Sequence, residues 1–356
     1  MAVPKRLAAA VFGFAVLALA LWGGLRVERP VRFEGGPLVQ GAWGSQEGQF
    51  GRGSSRDGLT YGPRSFAVDS AGRVYVLDWA NQRLQRYDDK GKLINLLPLV
   101  GANNASLQGS VDLAIDSAGG MWFVDNLRGR LSYFTPDGKI QELRLFGDTK
   151  DALLEQAGQV AAVGRGVVWS QSVVTAEEAV FQLRRVGGYG DAATAVFRTA
   201  LLKTGQNGPL PTAFTALGDS IYLLLPVPGE PGAALVQRLG LDGQVAATLK
   251  APAWSNAEMN RPAELLGVDG HGRVYVGTWV KGFLHVRVYD EAGLALAHTQ
   301  VAAPRDLQSH IYARVDQAGN FYVATLSGAG YEIARYERKT GWRLRPRWVA
   351  PQGPPQ

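Results

Sequence analysis

The chain has 356 residues, 46% hydrophobic and 10% aromatic, with 45 Gly and 18 Pro, which suits a large turn-rich body and excludes wholesale disorder. It contains no cysteine, so a disulfide framework, a thiolate metal site and a cysteine nucleophile are excluded. Its 37 Lys and Arg against 31 Asp and Glu leave a formal charge of +6, too mild for a nucleic-acid footprint, and no nucleic acid is expected as a partner.

Residues 1–25 read as a membrane-directed segment. Lys5 and Arg6 precede a run without charge from Leu7 to Leu25, which Arg26 and Glu28 close. Two readings fit. Ala18 and Ala20 supply the small residues for signal-peptide cleavage after Ala20. Alternatively the 19 residues of the run form an uncleaved helical anchor, spanning roughly 28 Å at 1.5 Å per residue against a hydrocarbon core of about 30 Å. In both, Lys5 and Arg6 stay cytoplasmic and everything after Arg26 is exported. The expected location is the cell membrane with the body outside the cytoplasm, or secretion if the segment is cleaved.

Residues 26–61 follow as a tether, within which "GPLVQGAWGS" reads as an outermost strand that completes the last unit of a ring. From Gly62 the phrase "GPRSFAVDSAGRVYVLDWANQRLQRYDDKGK" places Phe66 and Val68, then Val74 and Val76, at a spacing of two, the period of half-buried strands. It recurs from Val111, Glu264 and Ile311, with Asp116 standing 47 residues after Asp69 and Asp316 standing 47 after Asp269. Degenerate copies begin at Gln159 and Thr212. Repeats of this length, each a meander of four short strands, specify propeller blades that bury both faces only when neighbours stack on them. The expectation is an all-β, six-bladed propeller over residues 62–349, preceded by an N-terminal hydrophobic helix and followed by a tail at 350–356. In "WRLRPRW", Trp342, Leu344, Pro346 and Trp348 alternate with Arg343, Arg345 and Arg347, giving an edge strand of the last blade with one apolar and one cationic face. Charge and proline on an edge block sheet-to-sheet aggregation, and anionic lipid or cell-wall polymer is the other use of such a stripe.

"WGSQEGQF" at Trp43 to Phe50 followed by "GPRSFAVDSAGRVYVLDWANQRLQRYD" resembles the NHL-repeat family of six-bladed propellers. The likeness is strong in the first unit, good in the second, fifth and sixth, and poor in the third and fourth. It implies a fold far more than an activity, because such propellers host scaffolds, ligand binders and enzymes. Metal-dependent lyases sharing this fold carry histidine just before the inner strands, where this chain has Arg64, Val111 and Glu264. Its four histidines, His271, His285, His298 and His310, do not converge in the strand assignment. "FEGGPLVQGAW" at Phe33 resembles the "EGP-W" stretch of gluconolactonase-like propellers, but an extra glycine separates Glu34 from Pro37. The repeated aspartates Asp69, Asp116, Asp269 and Asp316 each open a short turn in which the carboxylate accepts backbone N–H bonds and Gly supplies a positive φ. Asp78 and Asp125 end second strands and tie down the bends after them.

The short turns open on one face of the disc. The long links and the bends "DWANQR", "DNLRGR" and "TWVKGF" open on the other, which gathers Trp79, Asn81, Arg83, Asn126, Arg128, Trp254, Asn256, Arg261, Trp279 and Lys281, with Arg64, Asp112 and Glu264 at the channel mouth. Loops on a rigid scaffold carry recognition. This face is the expected ligand-binding surface, for a protein, peptide or carbohydrate of the cell envelope. Its tryptophans have a second reading, as covers for the gaps between blades. The function expected is an extracytoplasmic binding or assembly module without cofactor. The alternative is a propeller hydrolase of lactonase or esterase type using a divalent cation, with Asp112 and Glu264 as candidate oxygen ligands.

Overall fold

A computed structural model describes residues 25–28, 31–54, 60–99, 110–125, 130–137, 140–145, 154–164, 166–174, 178–186, 197–205, 213–253, 262–302, 313–340 and 343–346. Leu7 to Gly24 lie outside these residues, as does the Ala20 cleavage site, while Leu25 opens a strand. Among the described residues no helix is long and apolar enough to cross a membrane.

The fold is an all-β propeller. Within the repeat region five blades are built from consecutive strands, each in simple meander order. Blade 1 runs through Ser65–Val68, Val74–Asp78, Arg83–Tyr87 and Leu93–Pro98. Blade 2 runs from Ser110–Ile115 to Ile140–Leu145, blade 3 from Leu154–Val163 to Phe197–Gly205, blade 4 from Ala213–Leu217 to Val245–Ala251, and blade 5 from Glu264–Val268 to Ala295–Ala302. This corrects the expectation of six complete units between residues 62 and 349. The last repeat supplies only Ala313–Val315, Phe321–Leu326 and Gly330–Thr340, and the outer strand of its sheet is Val31–Ala42, from the opposite end of the chain.

That composite sheet closes the ring. Its strands Val31–Ala42 and Gly330–Thr340 pair from Val31 opposite Thr340 to Ala42 opposite Gly330, with one bulge between Pro37 and Val39. Beyond the sheet the pairing resumes as a two-stranded ribbon, Leu25–Glu28 against Arg343–Pro346. The "RLRP" strand is therefore half of a ribbon extending past the sheet, and not an edge strand of a blade as the sequence suggested.

Each apolar cluster bridges two neighbouring sheets. Leu77 and Leu84 of blade 1 meet Leu113 and Phe123 of blade 2, and Trp122 and Tyr133 of blade 2 meet Val160 and Val167 of blade 3. Leu183 meets Phe214, Leu224 meets Val276, and Val286 meets Phe321 around the ring. Tyr322, Tyr331 and Ile333 of the composite sheet finish the circuit against Phe66, Val76 and Tyr87 of blade 1. Sandwiching has a consequence for patterning. All five residues of Val74–Asp78 are buried, because blades cover both faces of an inner strand, whereas the half-buried alternation survives on outer strands such as Leu93–Pro98. A truncation such as Leu84→Ala, at a residue with no exposed surface, removes packing worth about 2–5 kcal/mol.

The repeated turns form as expected. Asp69 Oδ1 accepts from the amides of Ala71 and Arg73, both at 3.0 Å, and Asp116 Oδ1 accepts from Ala118 at 2.9 Å and Gly120 at 2.8 Å. Asp269 does the same with His271 and Arg273, and Asp316 with Asn320. The glycines that follow sit at φ 76° (Gly72), 81° (Gly119), 73° (Gly272) and 85° (Gly319), where a Cβ is strained. The second carboxylate oxygens reach buried rings: Tyr75 donates to Asp69 at 3.1 Å, Trp122 to Asp116 at 3.1 Å, Tyr275 to Asp269 at 3.2 Å and Tyr322 to Asp316 at 3.0 Å. Burial, reinforced by Asp69, pushes the Tyr75 hydroxyl up to about 12.

Candidate functional site

The bend face is organised around Asp78, a carboxylate with no exposed surface at the end of the second strand of blade 1. Its Oδ1 accepts from the Gly51 amide at 2.8 Å, and its Oδ2 accepts from Asn81 Nδ2 at 2.9 Å, Arg83 Nε at 2.9 Å and Gln85 Nε2 at 3.0 Å. Arg83 then donates to the carbonyls of Ser45, Gln46 and Gln49, and Asn81 to that of Gly44. Trp43 Nε1 donates to the Ser327 carbonyl, and Phe50 packs edge-on against Tyr331 at 4.8 Å between ring centroids. The "WGSQEGQF" segment is thus a clasp joining the composite sheet to blade 1. Asn81 and Arg83, two candidate ligand residues, spend their hydrogen bonds on it.

Trp79 opens the 3-10 turn Trp79–Asn81, which ends at Gln82 in the left-handed region at φ 51°. Its indole N–H donates to the Gly62 carbonyl at 2.7 Å, and the Arg64 guanidinium carbon lies 4.4 Å from the ring centroid, within cation–π range. Gly53 approaches the six-membered ring so closely that a Cβ there would lie 2.8 Å from it. Trp79 is therefore built into the surface and covers the junction beside the clasp. At the corresponding bend of blade 5, Trp279 is half-buried and donates its indole N–H to Glu264 Oε2 at 2.9 Å. The exposed Lys281 follows, held at φ 49°. Asn126, Arg128, Trp254, Asn256 and Arg261 lie outside the described residues.

Asp112 lies at the start of the inner strand of blade 2 and is 1% exposed. Its carboxylate accepts from Ser65 Oγ of blade 1 at 2.6 Å, the Val160 amide of blade 3 at 3.0 Å, its neighbour's Leu113 amide at 2.9 Å and Arg314 Nη2 of the composite sheet at 2.6 Å. One carboxylate thereby ties four sheets together across the axis. Arg314, also bonded to the Phe66 carbonyl, lines a cavity of about 390 Å³ where the channel opens on the short-turn face, with Phe214, Val268 and the turn residues Asp69, Asp116 and Asp316.

Glu34, which carried the gluconolactonase-like reading, sits in the outer strand of the composite sheet opposite Glu337, at the rim of the disc and away from the axis. Among the described residues no three His, Asp or Glu are grouped to hold a metal. Two histidines do meet, contrary to the sequence reading. In blade 5, His285 pairs with Gln300 and His298 with Arg287, so the imidazoles lie on a diagonal and stack at 5.9 Å between centroids with 20° between planes. Loss of ring hydration, the neighbouring His285 and Arg287 lower His298 to about 4, and loss of hydration lowers His285 too. The register of strands three and four, which no local motif specifies, creates this pair.

The NHL repeat family model matches residues 60–87, and no curated protein matches the chain. Among solved structures, a member of the duf4221 family from Bacteroides vulgatus is similar over 88% of this chain and 99% of its own, at 9% identity and TM-score 0.54. A virginiamycin B lyase from Staphylococcus aureus covers 86% of this chain and 99% of its own at 10% identity and TM-score 0.46. A gluconolactonase from Xanthomonas campestris covers 78% and 86% at 13% identity and TM-score 0.47. At such identities the likeness concerns the fold alone, and the chain is an NHL-like β-propeller.

Proposed function

We propose that this protein is an extracytoplasmic, membrane-tethered propeller that works as a ligand-binding or assembly module, its composite sheet serving as a sixth blade. Its bend face receives a protein, peptide or carbohydrate of the cell envelope. The supporting observation is the prior ordering of the blade 5 bend: Trp279 is fixed by Glu264 at 2.9 Å beside the exposed Lys281. An aromatic anchor flanked by a carboxylate and an ammonium, already held in place, avoids much of the ordering cost of association. The side chains of the blade 1 bend serve instead as the clasp that keeps this face rigid.

The test is thermal unfolding of the purified full chain with envelope glycan fragments, peptides, sugars and divalent salts. A ligand at 100 times its Kd stabilises by about 2.7 kcal/mol. Trp279→Ala should abolish a shift seen with glycan or peptide, and Lys90→Ala on the opposite face should preserve it. A stoichiometric divalent ion retained through dialysis, with lactone or ester hydrolysis, would replace this reading by the hydrolase.

A further inference from the structure

The cavity at the short-turn end of the channel has the dimensions of a small-molecule site. Its volume of about 390 Å³ lies in the range of roughly 300–1,000 Å³ usual for ligand pockets. The inner strands supply apolar walls, among them Ala67, Leu113, Val160, Ala162, Phe214 and Val268. In blades 1 and 2 the lining positions all lie on the short-turn side of Phe66 and Asp112, the two residues to which Arg314 donates. The tie between Asp112 and Arg314 therefore crosses the axis at the inner end of the pocket. The result is a polar floor, apolar walls and a mouth among the short turns.

The floor retains hydrogen-bonding capacity. Each guanidinium nitrogen bears N–H donors. Arg314 donates from Nε to the Phe66 carbonyl at 3.2 Å and from Nη2 to Asp112 at 2.6 Å, and among the described residues nothing accepts from Nη1. The side chain lines the cavity and keeps 24% of its exposure, so these donors meet the pocket. At the mouth, Asp69 is paired with Arg73 at 2.7 Å. Asp116 accepts from two amides and Trp122, and Asp316 from Asn320 and Tyr322; among the described residues neither has a cationic partner. These charges select against ions of both signs. An anion would pass two uncompensated carboxylates, and a cation would end on a guanidinium.

We propose that this pocket binds an uncharged acyl compound, an aliphatic amide or ester. Its carbonyl oxygen accepts from Arg314 Nη1, and its chain lies along the apolar walls. The site is on the opposite side of the disc from the bend face and is independent of any ligand there.

The experiment is photo-crosslinking of the purified full chain with an octanamide carrying a diazirine on its chain, followed by mapping of the labelled peptides. Label is expected within residues 113–117, 160–164 and 214–218, where blades 2, 3 and 4 line the pocket. Unlabelled octanamide should compete, and shorter amides should lose about four-fold for each methylene removed. Octanoate and octylammonium should compete at least about ten-fold more weakly, since each brings an unpaired charge into the pocket. Arg314→Met should reduce labelling by roughly ten-fold or more, the loss of a hydrogen bond from a charged donor. Because that variant also loosens the axis, Ala216→Phe is compared with it: the ring fills the pocket with the tie intact and should abolish the label. Both are measured where circular dichroism shows them folded. Lys90→Gln, outside the pocket, should label as wild type does. Label confined to the apolar run at 7–25 or to the bend at 278–281 would overturn the proposal. So would octanoate or octylammonium competing as well as octanamide, or equal labelling of wild type and Ala216→Phe.

Discussion

Replacing Asp112 by Asn keeps the side-chain volume and removes the charge from a group that joins blades 1, 2 and 3 to the composite sheet. Asn can turn its carbonyl toward only part of a donor set comprising Ser65 Oγ, two amides and Arg314, and its own NH2 then faces a donor. Removing one partner of a buried pair costs about 3–5 kcal/mol. The Arg314 side chain keeps 24% of its exposure, so water returns part of that, and the expected loss is about 3 kcal/mol. For a chain of this length that lowers Tm by about 6 °C, at roughly 2 °C per kcal/mol. The measurement is thermal and urea unfolding of Asp112→Asn, Arg314→Met and the double variant. A coupling energy of at least about 1 kcal/mol is expected, because the double variant leaves no isolated cation. If Asp112 were instead a ligand-holding carboxylate poised at the channel mouth, neutralising it would leave stability unchanged or raised. A Tm within about 1 °C of wild type would therefore refute the reasoning that the axis is held by this ion pair.

Asp78→Ala should cost about 3–5 kcal/mol and expose the 43–51 clasp to proteolysis, seen as an early cleavage between Gly44 and Gly51 that wild type resists. His298, lowered to about 4 when folded against an ordinary value of 6.5, should make the fold less stable as pH falls from about 6.5 toward 4. The unfolded chain binds the proton more readily across that window, so the contribution is complete above it; Tm scanned from pH 7 to 4.5 should fall less steeply in His298→Gln than in wild type. A reporter active only outside the cytoplasm, fused after Val31, should give signal, and Val16→Arg should reduce it, since a charge at the centre of the run costs about 2.5–3.5 kcal/mol on insertion.

Features held by contacts within a few residues were legible in the sequence. The Asp69, Asp116, Asp269 and Asp316 turns follow from a carboxylate accepting amides two and four residues ahead, and from a glycine placed where φ must be positive. The blade repeat follows from apolar spacing, because each meander is local and its neighbours need only be apolar. Tertiary structure decided what depends on distant partners. Val31–Ala42 finds its place only against Gly330–Thr340, and Asp112 becomes a structural tie only when Ser65, Val160 and Arg314 arrive from three other sheets. Arg83 reads as an exposed recognition residue until the Ser45, Gln46 and Gln49 carbonyls fold onto it. In each case the side chain's type was plain from the sequence. Its partner was chosen by ring closure, which brings together groups as far as 309 residues apart (Val31 and Thr340), and apolar periodicity carries no information about such pairings.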